Sequence, residues 1–229
     1  MGARTAKHSS ATAAHYTPAC IVEAARATLG DIDLDPFSDD FGNRIVRAAR
    51  YFGGDPDGFQ TAWTGRVFCN PPGGALPSPL HGTKSSQAAA WCWAAEQWAS
   101  RAVSAVLFVG FSLEILQAAQ LSGALVQPLD FPCCVPSRRL RFDVRARDRQ
   151  NTLRAELNSI ATGPARAGTI ERELTELAGP AERDDRWPGD QPTHGNLLVL
   201  LPAGDGDVER FRSAFSDVGY TLIPSDWRT

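Results

Sequence analysis

Two periodicities alternate along this chain. In TPACIVEAARATLG the apolar positions Ile21, Ala24, Ala25 and Leu29 recur at helical spacing, with Thr17 placed to cap, Pro18 at the first helical position and Gly30 as a stop. DIDLDP alternates acid and aliphatic, which puts Ile32 and Leu34 on one side of a short strand ending at Pro36. NRIVRAARYF predicts a second helix. GRVFCN predicts a buried strand closed by Pro71 and Pro72, because proline has no N–H to offer a sheet ladder. Residues 73–86 are rich in Gly, Pro and Ser and read as a long loop. Beyond them QAAAWCWAAEQWASRA predicts a helix, AVSAVLFVGF a buried strand and SLEILQAAQ a helix capped by Ser112. LRFDV and NLLVLLP predict two more strands, and FRSAFSDVGYTLI a last helix and strand. Strands alternating with helices predict an α/β fold, a Rossmann-like three-layer sheet.

The pattern breaks between Arg145 and Pro192, where the composition turns polar and charged around two amphipathic runs, Leu153, Leu157, Ile160 and then Ile170, Leu174, Leu177. This predicts an inserted helical arm over 145–191, a layered domain formed by 16–144 and 192–229, and a flexible tail over 1–15. A chain of 229 residues with 43% hydrophobic residues can bury the core of one such domain. Its net charge of -3 and pI near 5.8 exclude a global basic field, so any nucleic-acid contact must be local. One local run qualifies. From Arg138 to Arg154 stand seven arginines against Asp143 and Asp148, a net +5, with Arg138, Arg139, Arg141 and Arg145 placed for phosphate contact and a solvated charged face as the plainer alternative. The five cysteines form no CxxC pair and include the adjacent Cys133 and Cys134, which predicts free thiols, no metal site and a reducing, cytoplasmic setting. No stretch reaches the roughly 18 apolar residues of a membrane span, and the first residues lack the apolar core of a signal peptide.

In open α/β sheets ligands bind beyond the carboxyl ends of the strands, so the loops after DIDLD and RVFCN should face one crevice and bring Asp35 near Asn70. Asn-Pro-Pro-Gly alone is a common turn signal, but its place after an apolar strand and downstream of DIDLDP marks it as a site. Tandem prolines stiffen the corner and fix the directions of the Asn70 amide and the Pro71 carbonyl. Two acceptors aimed at one point suit an exocyclic NH2. Held out of the ring plane, such an amine can pyramidalise and offer its lone pair to an electrophile without a strong base. No GxGxxG is present. Asp31 fits the solvent side of an edge strand equally well, Trp91 and Trp98 fit core packing, Trp93 points elsewhere, and His194 fits a turn.

Several ordered motifs, YTPACIVEAA, DIDLDPFSDDFGNRIVRAARYF, DGFQTAWTGRVFCNPPGG, SRRLRFD and PTHGNLLVLLP, resemble the phage-type, Dam-like DNA N6-adenine methyltransferases. The resemblance runs from Tyr16 to about Asp143 and resumes at Pro192. It implies an S-adenosylmethionine-dependent methyltransferase fold acting on adenine in DNA, of phage or mobile-element type. Asn70, Pro71 and Pro72 match the start of the family's Asn-Pro-Pro-aromatic motif and would be the catalytic residues. Tyr16, Thr17 and Pro18 match the segment that closes over the cofactor, while Asp33, Asp35, Pro36, Ser38 and Asn43 match its cofactor-strand motif. Asp57 in DGF would meet the cofactor's adenine or ribose. Gly73 departs from the family, because an aromatic there stacks on the flipped base; its loss forgoes roughly 1–3 kcal/mol of stacking. A ring from Phe111, Trp91 or Trp93, or the bound strand itself, is the expected substitute. Two other readings stay open: a decayed methyltransferase-like DNA-binding or regulatory module, and a methyltransferase acting on RNA, cytosine N4 or a protein amide.

Overall fold

A computed structural model describes residues 15–52, 58–78, 82–111, 115–117, 120, 126–159, 162–178, 185–189 and 195–225. The chain divides into two compact units, one of residues 17–140 and 192–229, the other of residues 1–16 and 141–191.

The larger unit opens with α1 (Ala19–Leu29), whose cap is Pro18 and carries no side-chain bond; the Thr17 hydroxyl expected to cap it is buried with no partner among the described residues. β1 (Leu34–Asp35) follows, then α2 (Asp40–Val46), whose Asp39 cap accepts from Gly42 N at 2.8 Å. The expected helix over NRIVRAARYF stops early. Arg47 turns left-handed at φ 51°, the Asn43 side chain accepts from Ala48 N at 2.8 Å and donates to its carbonyl, and Arg50–Tyr51 becomes the strand β2. β3 (Gly65–Cys69) is the strand that GRVFCN predicts. The expected loop holds a hairpin, β4 (Ala75–Ser78) and β5 (Gly82–Ser85), before α3 (Ser86–Ala99) and β6 (Val103–Phe111). Ser112 lies outside the described residues. β7 (Cys133–Pro136), which follows Pro132 and ends on Pro136, was not predicted.

The sheet order is β11-β7-β10-β6-β3-β1-β2, with β10 (Asn196–Leu201) and β11 (Gly219–Leu222) running against the rest and α6 (Asp205–Ala214) between them in sequence. Leu34, Val67, Cys69, Phe108, Leu197 and Val199 share one core cluster with Ala90, Trp91 and Ala94 of α3. Alternation along the strands sends their neighbours to the opposite face, where α1 packs on α6 and touches β3 and β6. The result is a mixed sheet with helices on both faces, compatible with a Rossmann-like fold. Trp91 and Trp98 are core residues, edge-on to Phe108 and Phe131 respectively.

The smaller unit holds β8 (Asp143–Arg145) paired with β9 (Arg186–Pro188), and the helices α4 (Ala146–Leu157) and α5 (Pro164–Leu177) joined over buried Leu153 and Ile170. Both helices lie within 145–191, in a unit that begins at Arg141 and takes in Tyr16. LRFDV contributes its strand to this pair and not to the large sheet.

Candidate active site

The chain passes from β1 to β2 on one side and from β3 to β6 on the other, so the direction of winding reverses between β1 and β3. Crevices form at such a reversal, beyond the carboxyl ends of the strands. Leu34 pairs with Val67 in parallel register, which puts Asp35 and the Asn70 loop on the same edge of strands about 4.8 Å apart. Asp35 follows Leu34 of the α3-side cluster within β1, so alternation assigns it to the α1 face, while Asn70 directly follows the last residue of β3.

Asp35 is buried, and its carboxyl is pushed up to about 7 by loss of solvent, with Asp39 adding in the same direction; bonds from Phe37 N at 3.3 Å and from the Ser38 hydroxyl resist the shift. Burial holds the adjacent Cys69 thiol well above its usual range, and the charge of Asp35 adds to this. The Pro36 turn is fixed from outside. Phe37 packs on Phe59 and Trp63, and Trp63 Nε1 donates to the Gly58 carbonyl at 2.8 Å. A Cβ on Gly58 would lie 2.3 Å from the Pro36 carbonyl oxygen. Gly58→Ala is therefore expected to displace this loop and cost about 1–3 kcal/mol, read as a lower denaturation midpoint. Asp57 lies outside the described residues.

The Asn-Pro-Pro-Gly-Gly corner is clamped by the first two residues of α3. Ser86 Oγ donates to the Pro72 carbonyl at 2.5 Å and to that of Gly74 at 3.1 Å, and Gln87 Nε2 donates to the Pro71 carbonyl at 2.8 Å in a buried setting. Gly74 adopts φ +103°, a conformation side chains resist. Sequence reasoning missed Gln87, although its place at the start of the helix after the loop was visible. One lone pair of the Pro71 carbonyl is thus committed and one remains. Gln87→Leu, which leaves that carbonyl without its donor, should cost about 1–3 kcal/mol in chemical denaturation.

Other expected site residues lie elsewhere or are spent. The Asp33 carboxylate accepts from Arg66 N at 2.7 Å, at the opposite, amino end of β3, where it fastens two strands together. Both ends of the Asn43 amide are used on Ala48. Tyr16 belongs to the smaller unit, bridged to Asp143 and accepting from Arg145 Nε at 2.9 Å, with the Arg186 guanidinium 5.5 Å over its ring. Thr17 and Pro18 stay with the larger unit, and Thr17 Oγ1 is a buried hydroxyl with no partner among the described residues. Trp91 is wholly buried and its Nε1 donates to the Val126 carbonyl, so it cannot replace the missing ring beside the exposed Gly73. Trp93 is half-buried against the same core, and the Phe111 side chain lies outside the described residues, as does His194.

The basic run is not uniform. Arg138 and Arg139 are exposed and follow β7, which runs parallel to β3 and β6, so they sit on the crevice edge of the sheet, three strands or about 14 Å from β3. In the smaller unit Arg141 is exposed, Arg145 is held on Tyr16, and Arg149 is 6% exposed and paired with Glu173 at 2.6 Å. Among the described residues no His, Cys, Asp and Glu cluster could hold a metal, all five cysteines are free, and no helix is long and apolar enough to cross a membrane.

The fold is that of an α/β protein with a mixed, mostly parallel sheet whose strand order reverses between β1 and β3. Neither a family model, a curated protein nor a solved structure matches the chain.

Proposed function

We propose that the chain is an S-adenosylmethionine-dependent methyltransferase that modifies the N6 amine of adenine in DNA. The observation that carries this reading is the shared edge of β1 and β3, with a buried carboxyl at Asp35 beside a rigid pair of acceptors at Asn70 and Pro71. Two features support this cofactor: Asp35 and Thr17 are buried polar groups beside the reversal point and just before α1, and the Thr17 hydroxyl lacks a partner among the described residues. When bound, the cofactor supplies an electrophilic methyl group.

The protein's part is positioning. Asn70 and the remaining lone pair of the Pro71 carbonyl hold the two amine hydrogens out of the ring plane, which localises the nitrogen lone pair. Gln87 holds the Pro71 carbonyl, and Ser86 holds the backbone of the corner at Pro72 and Gly74. Ser38 orients the Asp35 carboxyl. Arg138 and Arg139, on the same edge, would take phosphates of the strand whose base is flipped.

A second reading, a DNA-binding module that has lost catalysis, draws on the exposed Gly73 and on Gln87 already occupying the Pro71 carbonyl. Unmethylated DNA incubated with isotope-labelled cofactor, then digested to nucleosides and analysed by mass spectrometry, separates the two. Labelled N6-methyladenine supports the enzyme. Its absence, with no thermal shift on adding cofactor, supports the module, and label on cytosine N4, RNA or protein would reassign the acceptor.

A further inference from the structure

Asn196, the first residue of β10, pairs with Phe111 at the carboxyl end of β6 and so stands on the crevice edge of the sheet. It precedes Leu197 of the α3-side cluster, so alternation assigns its side chain to the face that carries Asp35. The residue is 4% exposed. Its Oδ1 accepts from Leu140 N at 3.3 Å, and since a backbone N–H requires an acceptor, this bond fixes which end of the amide is oxygen. Nδ2 is then the free end, buried and without a partner among the described residues. Leaving such a donor unmet is costly, and a site that binds a polar ligand is where it can be met.

The spacing limits what can meet it. Asn196 lies two strands from β3, and the register places it about two residues further along the strand direction than Asn70, which gives roughly 12 Å between their backbones. Two asparagine side chains, each with its hydrogen bond, span most of that distance. The remainder suits an amine and a nearby ring nitrogen of one planar base. A phosphate fits less well, because the donor is a neutral amide N–H and carries no charge to offset that of an anion.

We propose that Asn196 is a specificity-determining residue whose Nδ2 donates to a ring nitrogen of the flipped base while Asn70 holds its amine. The inference rests on the reading of the crevice as an amino-base site. Asn196 accepts bases in which an NH2 stands beside an unprotonated ring nitrogen, as in adenine and cytosine, and rejects 6-oxopurines, which present N1–H there. Its Leu140 bond also ties this reader to the loop that carries Arg138 and Arg139.

The test uses the full chain and random-sequence DNA copied with adenine, 1-deazaadenine or 7-deazaadenine nucleotides, reading both binding and methyl transfer. Wild type should lose about tenfold or more with 1-deazaadenine and little with 7-deazaadenine, because N1 is the ring nitrogen that a 6-oxopurine protonates; a loss on 7-deazaadenine alone overturns the inference. Asn196→Asp keeps the acceptor for Leu140 N–H and replaces the donor; it and Asn196→Ala should be impaired on natural DNA and lose nothing further on 1-deazaadenine. If wild type treats all three DNAs alike, or the variants discriminate as wild type does, the inference fails while methylation of natural DNA stands. If wild type neither binds cofactor nor methylates natural DNA, the crevice reading itself fails. The analogue comparison needs only wild type, so it decides even where a variant does not fold.

Discussion

Asn70→Ala is expected to lower methyl transfer to DNA by at least 10²- to 10³-fold, the scale on which a preorganised polar contact to a reacting group acts. Cofactor binding should stay nearly intact, because the substitution removes an acceptor for the amine and leaves the Asp35 side of the crevice as it was. The corner should also survive, since Ser86 and Gln87 bind the carbonyls of Pro71, Pro72 and Gly74 and not the Asn70 side chain in doing so. Single-turnover transfer measured beside calorimetric cofactor binding separates these effects. Unchanged turnover would refute the assignment of Asn70.

The second large effect belongs to Asp35. In the unfolded chain its carboxyl titrates near 3.8, in the folded protein at about 7. Between those values the folded state holds the extra proton, so stability falls as pH rises from about 4 to about 7 and is level above that. At about 1.4 kcal/mol per pH unit, the group contributes a loss of roughly 4 kcal/mol across the window. Asp35→Asn retains an acceptor for Phe37 N and carries no titrating proton, so denaturation midpoints measured from pH 4 to 8 should lose that slope, and the variant should be more stable than wild type at pH 8. It should also bind cofactor more weakly, because the ionised acceptor is gone. A buried carboxyl that weakens the fold while serving a ligand is the usual trade between stability and function. A variant with wild-type pH dependence would show that Asp35 is not the group responsible.

Much of this crevice was legible before any coordinates. β3, α3, β6 and β10 follow from unbroken or periodic apolar runs, and Asp35 and Asn70 from polar residues set where such runs meet proline. The failures share a cause. Asp33 and Asn43 carry the right chemistry in the right motif, yet each spends its side chain on backbone that the motif does not mention, Arg66 N in one case and Ala48 in the other. β7 was hidden by Pro132 before it and Pro136 at its end, and the arginine run looked uniform because a sequence does not reveal that Arg149 turns inward to Glu173.

What the sequence determined by itself is local: which segments must bury one side or both, where they stop, and that a stiff pair of acceptors follows a buried strand. Periodicity encodes burial residue by residue, so it survives without the partner being known. What only the tertiary structure decided is adjacency. That β1 lies beside β3, that Arg138 and Arg139 share their edge, and that Asn196 joins it with an unmet amide all depend on pairings dozens of residues apart, such as Leu140 with Asn196. Such pairings are fixed by competition among many strands for neighbours, and no single segment carries a record of the outcome.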